Sequence, residues 1–116
     1  MSATSSYCPS EGDIIYLDFD PQAGQEQAGR RPALVLSPEA YNRKAGLAVV
    51  CPITNQRKGY PFEVTLPSGT KATGVVLSDH IESLSWRARR SAYLCEAPSE
   101  LLEDVRAMVK AVINID

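Results

Sequence analysis

The first 97 residues of this chain consist mainly of short apolar or alternating runs separated by turn-forming residues. Residues 14–19 alternate between apolar and polar types, whereas residues 33–36 and 47–53 are compact apolar runs. Alternation with a period of two is typical of a strand with one buried face, and a short apolar run is typical of a buried strand. The pattern therefore predicts three strands.

A second set of runs predicts a β-hairpin. Residues 62–66 alternate as Phe, Glu, Val, Thr and Leu, residues 67–69 are the turn-forming Pro, Ser and Gly, and residues 73–77 return as an apolar run. Shorter signals predict a last strand at residues 93–95 and one helical turn at residues 38–43. Many short strands with short links favour a small, strongly curved barrel over a sandwich.

The hydrophobic period changes to that of a helix after Ser99, which is a suitable N-cap residue. One helical face at i, i+4, i+7, i+8 and i+11 is formed by Leu101, Val105, Met108, Val109 and Val112. The expected fold is thus mainly β with a C-terminal helix packed on the barrel. We expect a flexible N-terminal tail at residues 1–10 and a single domain at residues 11–116.

Composition favours a cytoplasmic globular protein. Apolar residues make up 44% and charged residues 22% of the chain, which is ordinary for a folded domain. No apolar run approaches the roughly 20 residues that cross a bilayer, and no secretion signal is visible, so no membrane partner is expected. Cys8, Cys51 and Cys95 are odd in number and lack CxxC spacing. They predict reduced thiols, with Cys51 and Cys95 in the core.

Charge is unevenly distributed, although the net charge is only −2. Residues 1–26 hold five acids and no Lys or Arg, residues 27–90 hold ten bases against four acids, and residues 91–116 hold two bases and five acids. A basic middle between acidic ends predicts one face that meets an anion. Random segregation in a short chain is the alternative.

Residues 12–32 carry the most informative chemistry, because they end in Arg30 and Arg31 after a polar loop that contains Glu26. Guanidinium groups bind phosphate through paired hydrogen bonds, whereas solvated surface charge is the plainer interpretation of two adjacent arginines. Metal-free RNA cleavage uses the 2′-OH as nucleophile. It needs a base, here Glu26, and donors to the phosphate oxygens, here Arg31 and Thr54.

The residues that other nuclease mechanisms require are absent from the sequence. The chain has one histidine, His80, and neither a GxxxxGK phosphate loop nor an HExxH metal motif. No group of carboxylates has the spacing of a two-metal site. We therefore expect neither a metal nor another cofactor, and we interpret His80 as a structural hydrogen-bonding residue.

Three ordered blocks resemble the MazF/PemK family of toxin endoribonucleases: GDIIYLDFDPQAGQEQAGRRPALVLSPEAYN, VCPITNQRKGYPFEV and GVVLSDHIESLSWRAR. The resemblance implies a PemK/CcdB-like, SH3-like small β-barrel that forms a homodimer. It implies cleavage of single-stranded RNA, chiefly mRNA, at a short sequence without a metal, which leaves 2′,3′-cyclic phosphate and 5′-OH ends and inhibits translation and growth. It also implies a MazE-like antitoxin, whose acidic peptide would cover the basic cleft.

The resemblance also assigns site residues. The family's catalytic arginine falls on Arg31, its threonine on Thr54 and its loop glutamate on Glu26, while Arg30 replaces a histidine found in some relatives. Bases of the RNA are expected to meet the loops after the first strand and around residues 55–58. The candidate RNA-binding residues are Gln27, Arg30, Asn55, Gln56, Arg57, Lys58 and Arg87. Trp86 either stacks on a base or is buried, and burial is favoured.

Two other functions remain as alternatives. A related toxin family with this fold poisons a topoisomerase through an aromatic residue near its C-terminus, whereas this chain ends in Asn114, Ile115 and Asp116. An RNA-binding module without activity is the second alternative. RNA binding without cut products would identify it.

Overall fold

The computed structural model describes residues 7–19 and 29–115. Strands and helices follow one another in the order β1 (Asp13–Phe19), β2 (Gly29–Val35), α1 (Glu39–Ala45), β3 (Leu47–Thr54), β4 (Glu63–Thr65), β5 (Val75–Leu77), β6 (Glu82–Ser85), β7 (Ala92–Glu96) and α2 (Ser99–Ile113). The mainly β fold with a C-terminal helix is confirmed, as is the β4–β5 hairpin.

All strand pairs are antiparallel, in the order β4-β5-β3-β2-β1-β7. The central strand β3 pairs with β6 at its start, with β2 at its middle and with β5 at its end. Among the described residues β4 and β7 do not pair, so the sheet is open where a closed barrel was expected. The physical reason is that β4 has only three residues and contacts α2 instead.

The sheet buries both of its faces, because alternate residues of its central strands enter two separate clusters. Ile14 and Leu34 belong to a cluster that includes Leu101 and Val105 of α2. The neighbouring Ile15 belongs to a second cluster, together with Leu17, Ala33, Val35, Val50 and Trp86. Each fully buried aliphatic side chain contributes about 1.5–3 kcal/mol. Burial on two faces explains the compact apolar runs of β2 and β3.

Residues 7–10 differ from the expected flexible tail. The Cys8 side chain is buried in the second cluster, and the Tyr7 hydroxyl donates a 2.6 Å hydrogen bond to Asp13 Oδ2. Residues 1–6 lie outside the described part of the chain. The packed region therefore begins before Glu11, because the Tyr7 ring and the Cys8 thiol pack on the second cluster and are removed from water there.

The three cysteines are free thiols. Cys51 is buried as predicted, whereas Cys95 is half-buried at the border of the first cluster. Burial raises the pKa of Cys51 to about 12, so its thiol is protonated at neutral pH.

The ends of α2 correct one detail. Pro98 occupies the N-cap position and Ser99 is the first helical residue, without a side-chain cap. Proline supplies an extended backbone at the cap position but no side-chain acceptor. Leu101 and Val105 are buried as predicted, while Val112 at the far end is 38% exposed.

Candidate active site

Arg31 and Thr54 lie at neighbouring ends of β2 and β3. The β2–β3 ladder ends at the pair Ala33↔Pro52, and continuing this register by two residues places Arg31 across from Thr54. Arg31 Nη2 lies 3.5 Å from the carbonyl oxygen of Ile53, to which it donates. Residues directly across an antiparallel pair share one face of the sheet. The register therefore brings the two predicted phosphate ligands to the same face.

Thr54 is held from two sides. Its side chain is 8% exposed, and its hydroxyl oxygen accepts a 3.1 Å hydrogen bond from the backbone N–H of Gln56. Behind it lies Gly74, at φ +108°, where an added Cβ would stand 2.2 Å from the carbonyl oxygen of Thr54. Only glycine permits this approach of two backbones. The Thr54 hydroxyl is consequently fixed at the end of β3, directly before residues 55–60.

Residues 55–60 form an exposed segment without regular structure after Thr54. Asn55 Oδ1 accepts a 3.0 Å hydrogen bond from the hydroxyl of Thr73. The carboxylate of Glu63 accepts hydrogen bonds from the backbone N–H groups of Lys58 and Gly59, at 2.9 and 3.0 Å. The Glu63 contacts fix the backbone, the Thr73 contact orients the Asn55 side chain, and the segment keeps exposed polar and basic side chains on its surface. The predicted RNA-binding residues of this segment, Asn55, Gln56, Arg57 and Lys58, therefore form one continuous patch.

Arg57 has one described side-chain partner, because its Nη1 donates a 3.3 Å hydrogen bond to the hydroxyl of Thr65. The bond links the exposed segment to β4. Arg57 is nonetheless exposed, and a neutral hydroxyl does not compensate its charge. Its guanidinium thus keeps the electrostatic character that a phosphate requires.

Arg30 and Arg31 are successive residues of β2, so their side chains point to opposite faces of the strand. Its Nη1 forms a 2.9 Å ion pair with Asp18 Oδ1, and its Nη2 donates a 2.6 Å hydrogen bond to the carbonyl oxygen of Arg90. Arg90 Nε contacts the other carboxylate oxygen of Asp18 at 2.7 Å. Hydrogen bonds from Arg90 and Arg30 lower the pKa of Asp18. Arg30 is therefore part of an ion-pair network with Asp18 and Arg90, and its assignment as an RNA contact stays a prediction.

Glu26 and Gln27 lie outside the described residues. The structure describes the strands on either side of them, β1 up to Phe19 and β2 from Gly29. The assignment of Glu26 as the base and of Gln27 as an RNA contact stays a prediction.

Trp86 and Arg87 stand next to each other but have different environments. Trp86 is 2% exposed and its Nε1 donates a 2.9 Å hydrogen bond to the carbonyl oxygen of Asn42. The Arg87 guanidinium lies 4.3 Å from the centre of the Trp86 ring and is exposed. Trp86 is therefore a core residue, whereas Arg87 is available to an anionic ligand.

His80 is exposed beside Asp79, with 3.8 Å between Nε2 and Oδ1. In the described part of the chain, no group of three or more His, Cys, Asp or Glu is arranged to hold a metal ion. The two described helices include none that is long and apolar enough to span a membrane.

Sequence reasoning missed Gly74, Glu63 and Asp18, which hold the predicted residues in place. Gly74 follows a threonine in a run that predicts a strand, and nothing in that run indicates a close backbone contact. Glu63 lies five residues after Lys58, so a turn-capping carboxylate was detectable in principle. Asp18 contacts Arg90, 72 residues away, which no local pattern indicates.

Comparison with known proteins places these features in a family. Residues 10–113 match the family described as PemK-like, MazF-like toxin of type II toxin-antitoxin system. The chain is 48% identical over 110 residues to the endoribonuclease toxin MazF of Escherichia coli strain K12, covering 95% of this chain and 98% of that protein. It is 34% identical over 107 residues to the endoribonuclease PemK of Escherichia coli, covering 89% and 80%.

Comparison with solved structures supports the same family. The chain matches a crystal structure of MazE-MazF from Deinococcus radiodurans with a TM-score of 0.89 and 52% identity, which covers 96% of this chain and all of that one. Agreement in sequence and in fold extends over nearly the whole length. The chain therefore belongs to the PemK-like, MazF-like toxin family of type II toxin-antitoxin systems.

Proposed function

We propose that this chain is the toxin of a toxin-antitoxin pair and an endoribonuclease that cleaves single-stranded RNA, chiefly mRNA, in the cytoplasm. The observation that carries the proposal is the placement of Arg31 and Thr54 on one face at neighbouring strand ends. The curated relatives named as endoribonucleases support it. Cleavage of mRNA stops translation and growth.

The reaction uses the 2′-OH of RNA as its nucleophile. The 2′ oxygen attacks phosphorus, its proton passes to the Glu26 carboxylate, and the bond from phosphorus to the 5′ oxygen breaks. Water protonates the leaving 5′ oxygen. The products are a 2′,3′-cyclic phosphate and a 5′-OH, and no metal is required.

Arg31 and Thr54 stabilise the negative charge that builds on the phosphate oxygens. Arg31 supplies a permanently charged donor. The Thr54 hydroxyl accepts from Gln56 N–H, so its own proton remains available for donation to a phosphate oxygen. A donor aimed at developing charge contributes about 3–4 kcal/mol to transition-state stabilisation.

RNA bases and flanking phosphates meet the patch of residues 55–58, together with Arg87 and Gln27. Exposed amides recognise the edges of single-stranded bases, and exposed cations bind phosphates. The same surface receives a MazE-like antitoxin, whose acidic peptide replaces the RNA phosphates. The similar MazE-MazF crystal structures from Deinococcus radiodurans support such a partner. We also propose that the chain forms a homodimer.

Digestion of a long single-stranded RNA in EDTA tests the proposal. The wild type is compared with Arg31→Ala and with Arg43→Ala, which removes an exposed guanidinium of α1 that pairs with Glu39. Wild type and Arg43→Ala should cut at one short motif and leave cyclic-phosphate ends, and Arg31→Ala should cut at least 100-fold more slowly. Full activity of Arg31→Ala contradicts the assignment, and RNA binding without cutting by the wild type indicates a regulatory module.

A further inference from the structure

The β1–β2 hairpin extends beyond the strands on either side of it. The two strands pair from Ile14↔Leu34 to Phe19↔Gly29. Within the described ranges, the ladder from β2 to β3 stops at Ala33 and the ladder from β1 to β7 stops at Tyr16. Residues 17–19 and 29–32 therefore form a two-stranded ribbon, and Arg31 lies on it. Leu17 anchors the inner end of this ribbon in the second cluster, whereas its outer end has only two strands, an arrangement that is marginally stable in water without further contacts.

Asp18 connects this ribbon to the turn at residues 86–91. Its carboxylate bridges Arg30 of the ribbon and Arg90 of the turn, at 2.9 and 2.7 Å. Its backbone N–H donates a 2.8 Å hydrogen bond to the carbonyl oxygen of Arg89. Arg89 Nη1 in return donates to the carbonyl oxygen of Asp18 at 3.2 Å. One residue thus links side chains and backbones of two elements that are distant in sequence.

The turn at residues 86–91 is held in place by its own backbone hydrogen bonds and by a buried side chain. Backbone bonds from Ser91 N–H to Trp86 O and from Arg90 N–H to Arg87 O, at 2.9 and 3.0 Å, form the pattern of a Schellman motif. Arg90 occupies the left-handed position of that motif, with φ 54°, where glycine is usual. Trp86, which begins the motif, is buried in the second cluster. The Asp18 contacts therefore tie the ribbon to the core through a well-defined turn.

We propose that Asp18 is a positioning residue for Arg31, because its carboxylate clamps the end of the β1–β2 ribbon to the 86–91 turn. Arg31 is adjacent to Arg30 and pairs with Leu17, the residue before Asp18. Release of the clamp lets the ribbon end move and takes the Arg31 guanidinium away from the end of β3, where its Nη2 lies 3.5 Å from the Ile53 carbonyl oxygen. The inference rests on the proposed function, in which that guanidinium meets the phosphate. Arg30 and Arg90 then hold the ribbon and do not bind RNA.

Kinetics of two variants distinguish positioning from RNA binding. Asp18→Asn removes the charge at constant size, and Arg90→Gly removes the guanidinium while it relaxes a left-handed backbone. Each should lower kcat about tenfold or more, since small displacements of a catalytic group are costly, and should leave KM within about twofold. The matched control Glu39→Gln breaks an exposed carboxylate–arginine pair on α1 and should change neither. A raised KM with unchanged kcat overturns the proposal and assigns the arginines to RNA binding.

Hydrogen exchange measured by NMR tests the clamp without any activity. The amides of residues 17–19 and 29–31 should exchange faster in Asp18→Asn than in wild type, and should be unaffected in Glu39→Gln. Equal exchange in Asp18→Asn and wild type overturns the clamp, whatever the kinetics show. If wild type cleaves no RNA but Asp18→Asn loosens these amides, the proposed function fails while the clamp stands.

Discussion

The end of β3 and the end of the β1–β2 ribbon each present one proposed phosphate ligand, but they are held by different forces. Thr54 at the end of β3 is buried against the backbone of Gly74 and within hydrogen-bonding distance of Gln56. Arg31 lies on a ribbon whose outer end is attached to a distant turn by the ion pairs of Asp18 and by hydrogen bonds to its backbone. One ligand is fixed by close packing, whereas the ribbon end that carries the other depends in part on ion pairs.

The difference predicts which conditions disturb each half of the site. Packing against a backbone is insensitive to pH and salt but intolerant of added volume. Exposed ion pairs tolerate changes of volume but weaken with salt and with protonation. The two halves should therefore fail under different perturbations, although we propose that both act on the same phosphate.

Gly74→Ala should give the largest loss of stability. The new methyl group would meet the Thr54 carbonyl oxygen at 2.2 Å and Asn55 Oδ1 at 2.9 Å, at a φ of +108°. We expect the free energy of unfolding to fall by about 2–4 kcal/mol. Gly69→Ala is the matched control, because φ is +92° but no atom lies within 4 Å of the new methyl, and it should cost about 1–2 kcal/mol. Urea unfolding measures both, and equal losses would mean that the Thr54 contact is unimportant.

Thr54→Val should lower cleavage about 100-fold, because a nearly isosteric side chain loses the hydroxyl donor. Thr54→Ser keeps the hydroxyl and should stay within about tenfold of wild type. Single-turnover cleavage of a defined RNA measures the two rates. Similar rates for the two variants would remove the hydroxyl from the mechanism.

The stability contributed by the Asp18 carboxylate should disappear in acid. Its pKa in the folded chain is lowered by hydrogen bonds from Arg90 and Arg30, so the ionised form adds stability above the unfolded pKa of about 3.9. That contribution is lost as the pH falls through the lower, folded pKa. The difference in unfolding free energy between wild type and Asp18→Asn should be full at pH 6 and shrink below about pH 4. The deficit of Gly74→Ala should not follow this titration.

Labelling of Cys51 should give the smallest and most local signal. Cys51 lies on β3, three residues before Thr54, and burial raises its thiol pKa to about 12, so labelling at pH 8 requires the region to open. Gly74→Ala should accelerate labelling of Cys51, whereas Asp18→Asn should leave its rate unchanged. Mass spectrometry of alkylated peptides separates Cys51 from half-buried Cys95. An equal acceleration in both variants would show that the two halves open together.

The sequence predicted much of the sheet because its strands alternate or are fully apolar. The strand β6 was missed, since Glu82–Ser85 contains one buried residue, Leu84, among polar ones. The open edge between β4 and β7 follows from strand lengths and helix packing, which periodicity does not report.

The candidate site was predicted in part. Arg31 and Thr54 were identified from chemistry and resemblance, and the register of β2 against β3 brings them to one face. The opposite orientations of Arg30 and Arg31 were not predicted, because they follow from a strand that begins at Gly29 and not at residue 33. The supports, Gly74 and Asp18, act through tertiary contacts that no local pattern contains.

A double-mutant cycle of Arg31→Ala and Thr54→Val, measured by single-turnover cleavage in EDTA, tests the central claim most directly. If both side chains act on one phosphate, the double variant should lose much less than the product of the two single losses, with a coupling of at least about 1 kcal/mol. Losses that multiply independently would contradict a shared phosphate and separate Arg31 from Thr54 in the mechanism.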